Sequence, residues 1–355
     1  MSYTTEETLE KALSKGRIEL EEGVRLIHSG DLTQLGMAAN LVTDTLHPEP
    51  YRTYAIDRNI NYTNVCVARC HFCAFSTDND AQNAYVVTER ELFDKIEETL
   101  RQGGTQILMQ GGMHPGLRLD FYEDMLRSIK ERFHIHIHAF SPPEILHLSR
   151  LEGLPVSTVI TRLRSAGLDS IPGGGAEILV DRCRKTVSPG KCTSEEWLSV
   201  MREAHRLGMR TTATMMFGHI ETLEERVVHM DRIRRLQDET GGFTAFIPWT
   251  FQPKNTRLEN ISPVGAFEYL KTLAVSRLYL DNVPNVQASW VTQGPKIGQL
   301  ALKFGANDMG STMIEENVVR AAGVSFRMCS EEIEHLITDV GYEARQRDFY
   351  YRLVN

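Results

Sequence analysis

Apolar residues recur at spacings of three and four through residues 5–14, 20–29 and 32–46, as in helices that bury one face, and Pro48 and Pro50 end the run. Beyond them the pattern changes to strands alternating with helices. Residues 54–62 read as a strand that feeds a cysteine-containing loop. Thr88-Glu-Arg-Glu91 is a capping box opening a helix that ends at Gly103-Gly104. Further strand patterns fall at 105–110, 134–140, 168–172, 210–217, 243–251, 286–291 and 306–308. Helical periodicity follows each, at 119–133, 142–166, 176–187 with 193–207, 222–239, 263–280, 294–304 and from Met313 onward. Eight strands, each followed by helix, predict an α/β fold: a parallel (β/α)8, TIM-type barrel. The alternative is an incomplete barrel of six units. The expected organisation is an N-terminal helical segment over 1–50 packing on the barrel, the barrel over 51–323, and a C-terminal helical extension over 324–355.

Composition narrows the class. The chain has 355 residues, 41% hydrophobic and 24% charged, as in a soluble globular protein. No stretch approaches the ~20 apolar residues of a membrane span. A net charge of −8 argues against nucleic acid or an anionic membrane as partner. Six cysteines with no apolar signal segment suit a reducing cytoplasm. Cys183, Cys192 and Cys329 are scattered and read as free thiols.

The other three cysteines lie within eight residues: Cys66-Val-Ala-Arg-Cys70-His-Phe-Cys73. A structural zinc site closes with four Cys/His ligands, and no second pair follows here. Iron–sulfur clusters take cysteine thiolates, usually four per [4Fe–4S], so a run of three leaves one iron open to something else. Barrel enzymes work at the C-terminal ends of their strands, and the polar motifs fall there: the cysteine loop, Gln110-Gly-Gly-Met-His-Pro115, Ser141-Pro-Pro-Glu144, Pro172-Gly-Gly-Gly-Ala-Glu177 and Gly218-His219. The glycine runs read either as ligand cradles or as turns needing positive φ. Glu177 reads either as a ribose ligand or as a carboxylate favourable at a helix start. His134, His136 and His138 share one strand face, as a metal site or as interior polar packing.

The C-x3-C-x-aromatic-C signature of Cys66, Cys70, Phe72 and Cys73 resembles that of the radical S-adenosylmethionine (SAM) superfamily. The resemblance implies a [4Fe–4S] cluster on the three cysteines, with SAM chelating the fourth iron and yielding a 5′-deoxyadenosyl radical. Carried over by position, the SAM contacts would be Phe72, Gln110, Gly111, Gly112, Ser141, Glu177, Met216 and Gly218. Asn61-Tyr-Thr-Asn64-Val-Cys66, the Gln110 and Leu168 motifs and Gly305-Ala-Asn-Asp308-Met-Gly-Ser311 resemble the menaquinone/F420 branch. Met313-Ile-Glu-Glu-Asn-Val-Val-Arg-Ala-Ala-Gly323 and Gln346-Arg-Asp348 look most like its members that cyclise dehypoxanthine futalosine. That implies this small-molecule substrate and a reducing donor such as flavodoxin or ferredoxin; the alternatives are a sister enzyme of the branch, an aminofutalosine synthase or a deazaflavin (FO) synthase component, and a non-catalytic iron–sulfur or zinc protein. Expected substrate residues are His219, Gln287, Trp290, Asn307, Asp308, Ser311 and Glu315, with Asp308 as final proton acceptor or sugar ligand; an Asx turn or N-cap is its bland alternative.

Overall fold

A computed structural model describes residues 4–354. Ten strands organise it: β1 (Tyr51–Ala55), β2 (Asp57–Ile60), β3 (Gln106–Met109), β4 (His136–Ala139), β5 (Ser170–Ile171), β6 (Arg210–Phe217), β7 (Phe243–Thr250), β8 (Asn285–Val286), β9 (Asp308–Ser311) and β10 (Glu343–Gln346). Strands β2 to β8 form a curled, seven-stranded parallel sheet in chain order, and β10-β1-β9 form a second parallel sheet. The two are joined at both ends. β1 runs on into β2, and β8 meets β9 through the Gln287–Asp308 bridge and the Ala288 N–H to Asp308 carbonyl bond of 2.9 Å. With β1 and β2 counted as one broken strand, the eight expected strands are present.

The break has a local cause. The β1–β9 register shifts between Thr53 and Ala55, a bulge that re-aims the strand. Strand eight lies at 308–311 rather than 306–308, and Asn307 just before it already bonds both neighbours, its N–H to the Val286 carbonyl at 3.1 Å and its carbonyl to the Thr53 N–H at 3.3 Å. Strand seven is only two residues long. The Ser289 N–H donates to the Tyr269 hydroxyl at 2.7 Å, and Trp290 opens a short helix, Trp290–Gln293, instead of sitting on the strand. The helix expected from residue 176 starts at Asp181, since Glu177 holds a left-handed φ of 41°. The C-terminal extension contains helix Ser330–Asp339 and then turns to strand β10, whose Glu343, Ala344, Arg345 and Gln346 pair with Tyr51, Arg52, Thr53 and Tyr54.

Three helices, Thr5–Leu13, Leu20–Ser29 and Leu32–Leu46, precede the barrel and pack on its outer layer. Gly36 faces the Phe304 ring, where a Cβ would come within 2.5 Å. Their buried Leu9, Leu26, Ile27 and Leu35 join the single large core. Among the described residues, no helix is long and apolar enough to cross a membrane.

Candidate active site

The cysteine loop leaves the C-terminal end of β2 and is pinned from both sides. The Val67 N–H donates to the Met113 carbonyl at 3.0 Å, and the His71 N–H donates to the Val187 carbonyl at 2.8 Å. Gly190 touches Ala68 so closely that a Cβ would lie 2.4 Å from its carbonyl oxygen. Cys66, Cys70 and Cys73 are free thiols gathered with Ala68, Phe72 and Met113 in a small apolar nest. The Met113 N–H reaches Cys66 Sγ at 3.4 Å. Burial pushes the Cys70 thiol up to about 12; Lys191 opposes this, and Cys66 and Cys73 add to it. Such a group gives up its proton when a metal replaces it. Three thiols gathered in one nest, joined by no fourth among the described residues, suit a [4Fe–4S] cluster with one open iron.

The glycine loops close around this nest. Gly111 and Gly112 serve close packing: a Cβ would come within 2.4 Å of the Tyr62 ring or 2.1 Å of the Val65 carbonyl oxygen. Their N–H groups are engaged within the protein, Gly111 to Glu144 Oε1 at 3.1 Å and Gly112 to the Thr63 carbonyl at 2.9 Å. Only their carbonyls remain for an amine donor. Ser141 and Glu144 form a buried capping box that also holds the Tyr62 hydroxyl. Glu177 is buried between Lys191 at 2.8 Å and Arg184 at 3.3 Å. Burial alone would raise its carboxyl, but the two cations hold it below the ordinary value. Lys191 also lies 4.9 Å above the Phe72 ring, tying Glu177 to the cysteine loop.

A cavity of about 300 Å3 descends from Gln110, Gly174 and Glu177 into the barrel. Gln287, Trp290 and Ser311, three of the candidate substrate residues, line it. The other candidate substrate residues do not. Met216, Gly218 and His219 lie outside its lining, and the His219 ring donates from Nε2 to the Met216 carbonyl at 3.1 Å and accepts at Nδ1 from the Ile220 N–H at 2.7 Å. Asn307 accepts from Arg277 at 2.7 Å and from the Val286 N–H at 2.9 Å, so it braces strands. Glu315 pairs with Lys95 and Arg58 outside the cavity. Asp308 is fully buried and accepts four hydrogen bonds: two from Arg347 (2.8 and 2.9 Å), one from Thr53 (2.6 Å) and one from the Gly310 N–H (2.8 Å). It holds Arg347 in place and does not face the cavity.

Sequence reasoning missed the floor. Arg347, Phe349 and Tyr351, just after β10, close the lower end, and Asp57, Asn59, Gln106 and His138 stand on the wall. The polar alternation of Asp57-Arg-Asn59-Ile-Asn61 and Gln106-Ile-Leu-Met-Gln110 was the available signal, because period two sends these side chains inward. Asp57 accepts from the Ser311 hydroxyl at 2.5 Å and from Gln106 Nε2 at 2.9 Å, and burial pushes its carboxyl up. Gln106 Oε1 is buried without a partner. A protonated Asp57 would satisfy that oxygen after a carboxamide flip.

A broken parallel barrel with three thiols and packed glycine loops above a largely apolar cavity that carries a few polar groups defines the class. The Radical SAM superfamily model matches residues 60–233, and the CofH/MqnC C-terminal region model matches 240–355. The chain belongs to the radical SAM superfamily, in its CofH/MqnC group, and is an enzyme of radical chemistry. It is 46% identical over 347 residues to the cyclic dehypoxanthine futalosine synthase of Halalkalibacterium halodurans (98% of this chain, 94% of that one). To the protein of the same name from Streptomyces coelicolor it is 43% identical (97% and 87%). The aminodeoxyfutalosine synthase of Thermus thermophilus is 39% identical (97% and 94%). In fold it is similar to the [FeFe]-hydrogenase maturase HydG, with a TM-score of 0.78 at 16% identity, covering 97% of this chain and 77% of that one.

Proposed function

We propose that this enzyme cyclises dehypoxanthine futalosine to cyclic dehypoxanthinyl futalosine in menaquinone biosynthesis. The observation that carries this reading is the cavity itself. It begins at motif residues of the radical SAM region and ends on Arg347, Phe349 and Tyr351, which belong to the region matched by the CofH/MqnC C-terminal model. The substrate chamber is thus built in part from the region particular to this group, and its similarity to cyclic dehypoxanthine futalosine synthases extends over nearly the whole chain.

Cys66, Cys70 and Cys73 would hold the [4Fe–4S] cluster, with SAM against the Gly111–Gly112 carbonyls, Gln110 and Glu177. When bound, this pair supplies the carbon radical that removes a hydrogen atom. The protein's own part is positioning and exclusion of water. The substrate lies in the cavity with its ribose C4′ hydrogen toward the rim. The C4′ radical bonds to the ring of the attached benzoate, and loss of one electron and one proton restores a closed shell. Trp290, fixed by its indole N–H to the Ser311 carbonyl at 3.0 Å, gives the aromatic part a flat apolar wall. A small reducing protein, flavodoxin or ferredoxin, is the proposed electron donor, and the cytoplasm the proposed location.

Product analysis tests the reading. The reconstituted, reduced enzyme is incubated with SAM and dehypoxanthine futalosine. Cyclised product with an equal amount of free 5′-deoxyadenosine is expected. No cyclisation there, with adenosyl transfer in a parallel incubation supplied with SAM and an enolpyruvyl benzoate, would move the enzyme to the aminodeoxyfutalosine synthase reaction.

A further inference from the structure

Two histidines of β4 and one serine of β5 form a chain of hydrogen bonds from the cavity through its floor. His138 is buried in the cavity lining. Its Nδ1 lies 2.7 Å from Ser170 Oγ, and the same oxygen lies 2.7 Å from His136 Nε2. His136 lines a second cavity, on the outer side of the floor, with Lys130, Asp169, Asp348 and Arg352. Phe349 lines both cavities, stacked on the His136 ring at 4.5 Å and 16° and tilted against the His138 ring at 4.7 Å. The aromatic ring seals the floor, while the hydrogen-bond chain passes beside it.

The donors and acceptors of this chain can be ordered. A serine hydroxyl has one proton, so it donates to one imidazole and accepts from the other. With His138 Nδ1–H donating to Ser170 and Ser170 donating to His136 Nε2, the second nitrogen of His138 carries a free lone pair in the cavity. Its nearest protein partner, the Thr212 hydroxyl, is 3.5 Å away. Burial keeps both rings neutral, the state a base requires. The charged groups acting on the pair are Arg347 on the His138 side and Asp169, Lys130, Asp348 and Arg352 on the His136 side.

We infer that His138 is the catalytic base that takes the ring proton after cyclisation, and that Ser170 and His136 relay a proton to the outer cavity. This rests on the cyclase reading, which leaves one proton and one electron to be removed. The C–H electron pair rearomatises the ring, the proton goes to His138 Nε2, and the surplus electron goes to a one-electron iron–sulfur acceptor. A proton shifts from His138 Nδ1 to Ser170 and from Ser170 to His136, whose Nδ1 proton leaves to solvent.

The test compares wild type, His138→Gln, Ser170→Ala and Ser170→Thr as reconstituted holoenzymes, measuring cyclised product and 5′-deoxyadenosine separately. His138→Gln is expected to lower product formation by roughly a hundredfold, the low end of general-base effects, while 5′-deoxyadenosine still forms. Ser170→Ala should lower it by about tenfold and enlarge the solvent deuterium isotope effect, and Ser170→Thr, which keeps the hydroxyl, should restore it. Imidazole 15N NMR of the wild type gives a second readout. Resonances of both rings should move in Ser170→Ala. Wild-type product yield and pH profile in His138→Gln, or imidazole resonances indifferent to Ser170, would overturn the relay. Absence of cyclised product from the wild type itself would instead overturn the cyclase reading.

Discussion

The rim and the floor of the cavity are built by opposite means. At the rim, contiguous motifs bring backbone and thiols together, and glycines are needed because a Cβ at Gly112 or Gly190 would meet a carbonyl oxygen. At the floor, single residues from distant segments meet: Asp57, Asp308 and Arg347 all act on one another inside the barrel. The rim is prepared to receive a cofactor, whereas the floor is saturated with its own ion pair. In this site the reactive end stays open while the other end is fixed by the chain itself.

The largest test of this contrast is Cys70→Ala. It should abolish SAM cleavage and the visible absorption of the cluster while leaving the chemical denaturation midpoint of the cluster-free protein nearly unchanged. Arg347→Met should do the reverse. It strands a buried Asp308, at a cost of about 3–5 kcal/mol in chemical denaturation. Arg347→Met combined with Asp308→Leu should recover much of that loss, since a buried ion pair replaced as a whole costs little. Gly112→Ala should cost about 1–3 kcal/mol by overpacking and lower the iron content after reconstitution.

Acidification separates the two ends by a smaller amount. Burial lowers His136 to about 4 from an ordinary 6.5, so between these values the unfolded chain binds a proton that the folded one refuses. Stability should therefore fall as the pH drops from 6.5 toward 4, by roughly 1–3 kcal/mol from this residue. At the rim, Glu177 is depressed below 4.5, so its contribution is complete above 4.5 and lost only as the pH falls through its lower folded value. Denaturation midpoints across this range check both. His136→Gln should make the upper part of the curve less steep and leave the lower part, the remaining slope coming from His138, His205 and His229, which burial also lowers.

The legibility of the molecule follows the same division. The strand–helix alternation and the motif-bearing loops were readable because period and spacing are local properties. The cysteine run was readable because its three thiols are neighbours in sequence. Asp308 was misread because its partner Arg347 arrives from the far side of β10, and a carboxylate on the correct face of a barrel carries no mark of being already paired. Asn307 and Glu315 were misplaced for the same reason. Trp290 was assigned to a strand because nothing in 286–291 shows that Tyr269 takes the Ser289 N–H. Asp57 passed unnoticed because one carboxylate in a polar, alternating strand has no motif around it.

The pairing of Tyr51 with Glu343 joins residues about 290 positions apart. Closure entropy places such a contact late in folding. Until it forms, β1 presents an open strand edge, the feature through which chains associate with one another. A chain in which β10 has not yet docked therefore carries an adhesive edge at the base of the barrel. Chaperone demand and aggregation during overexpression should follow the lifetime of that edge, not the loading of the cluster.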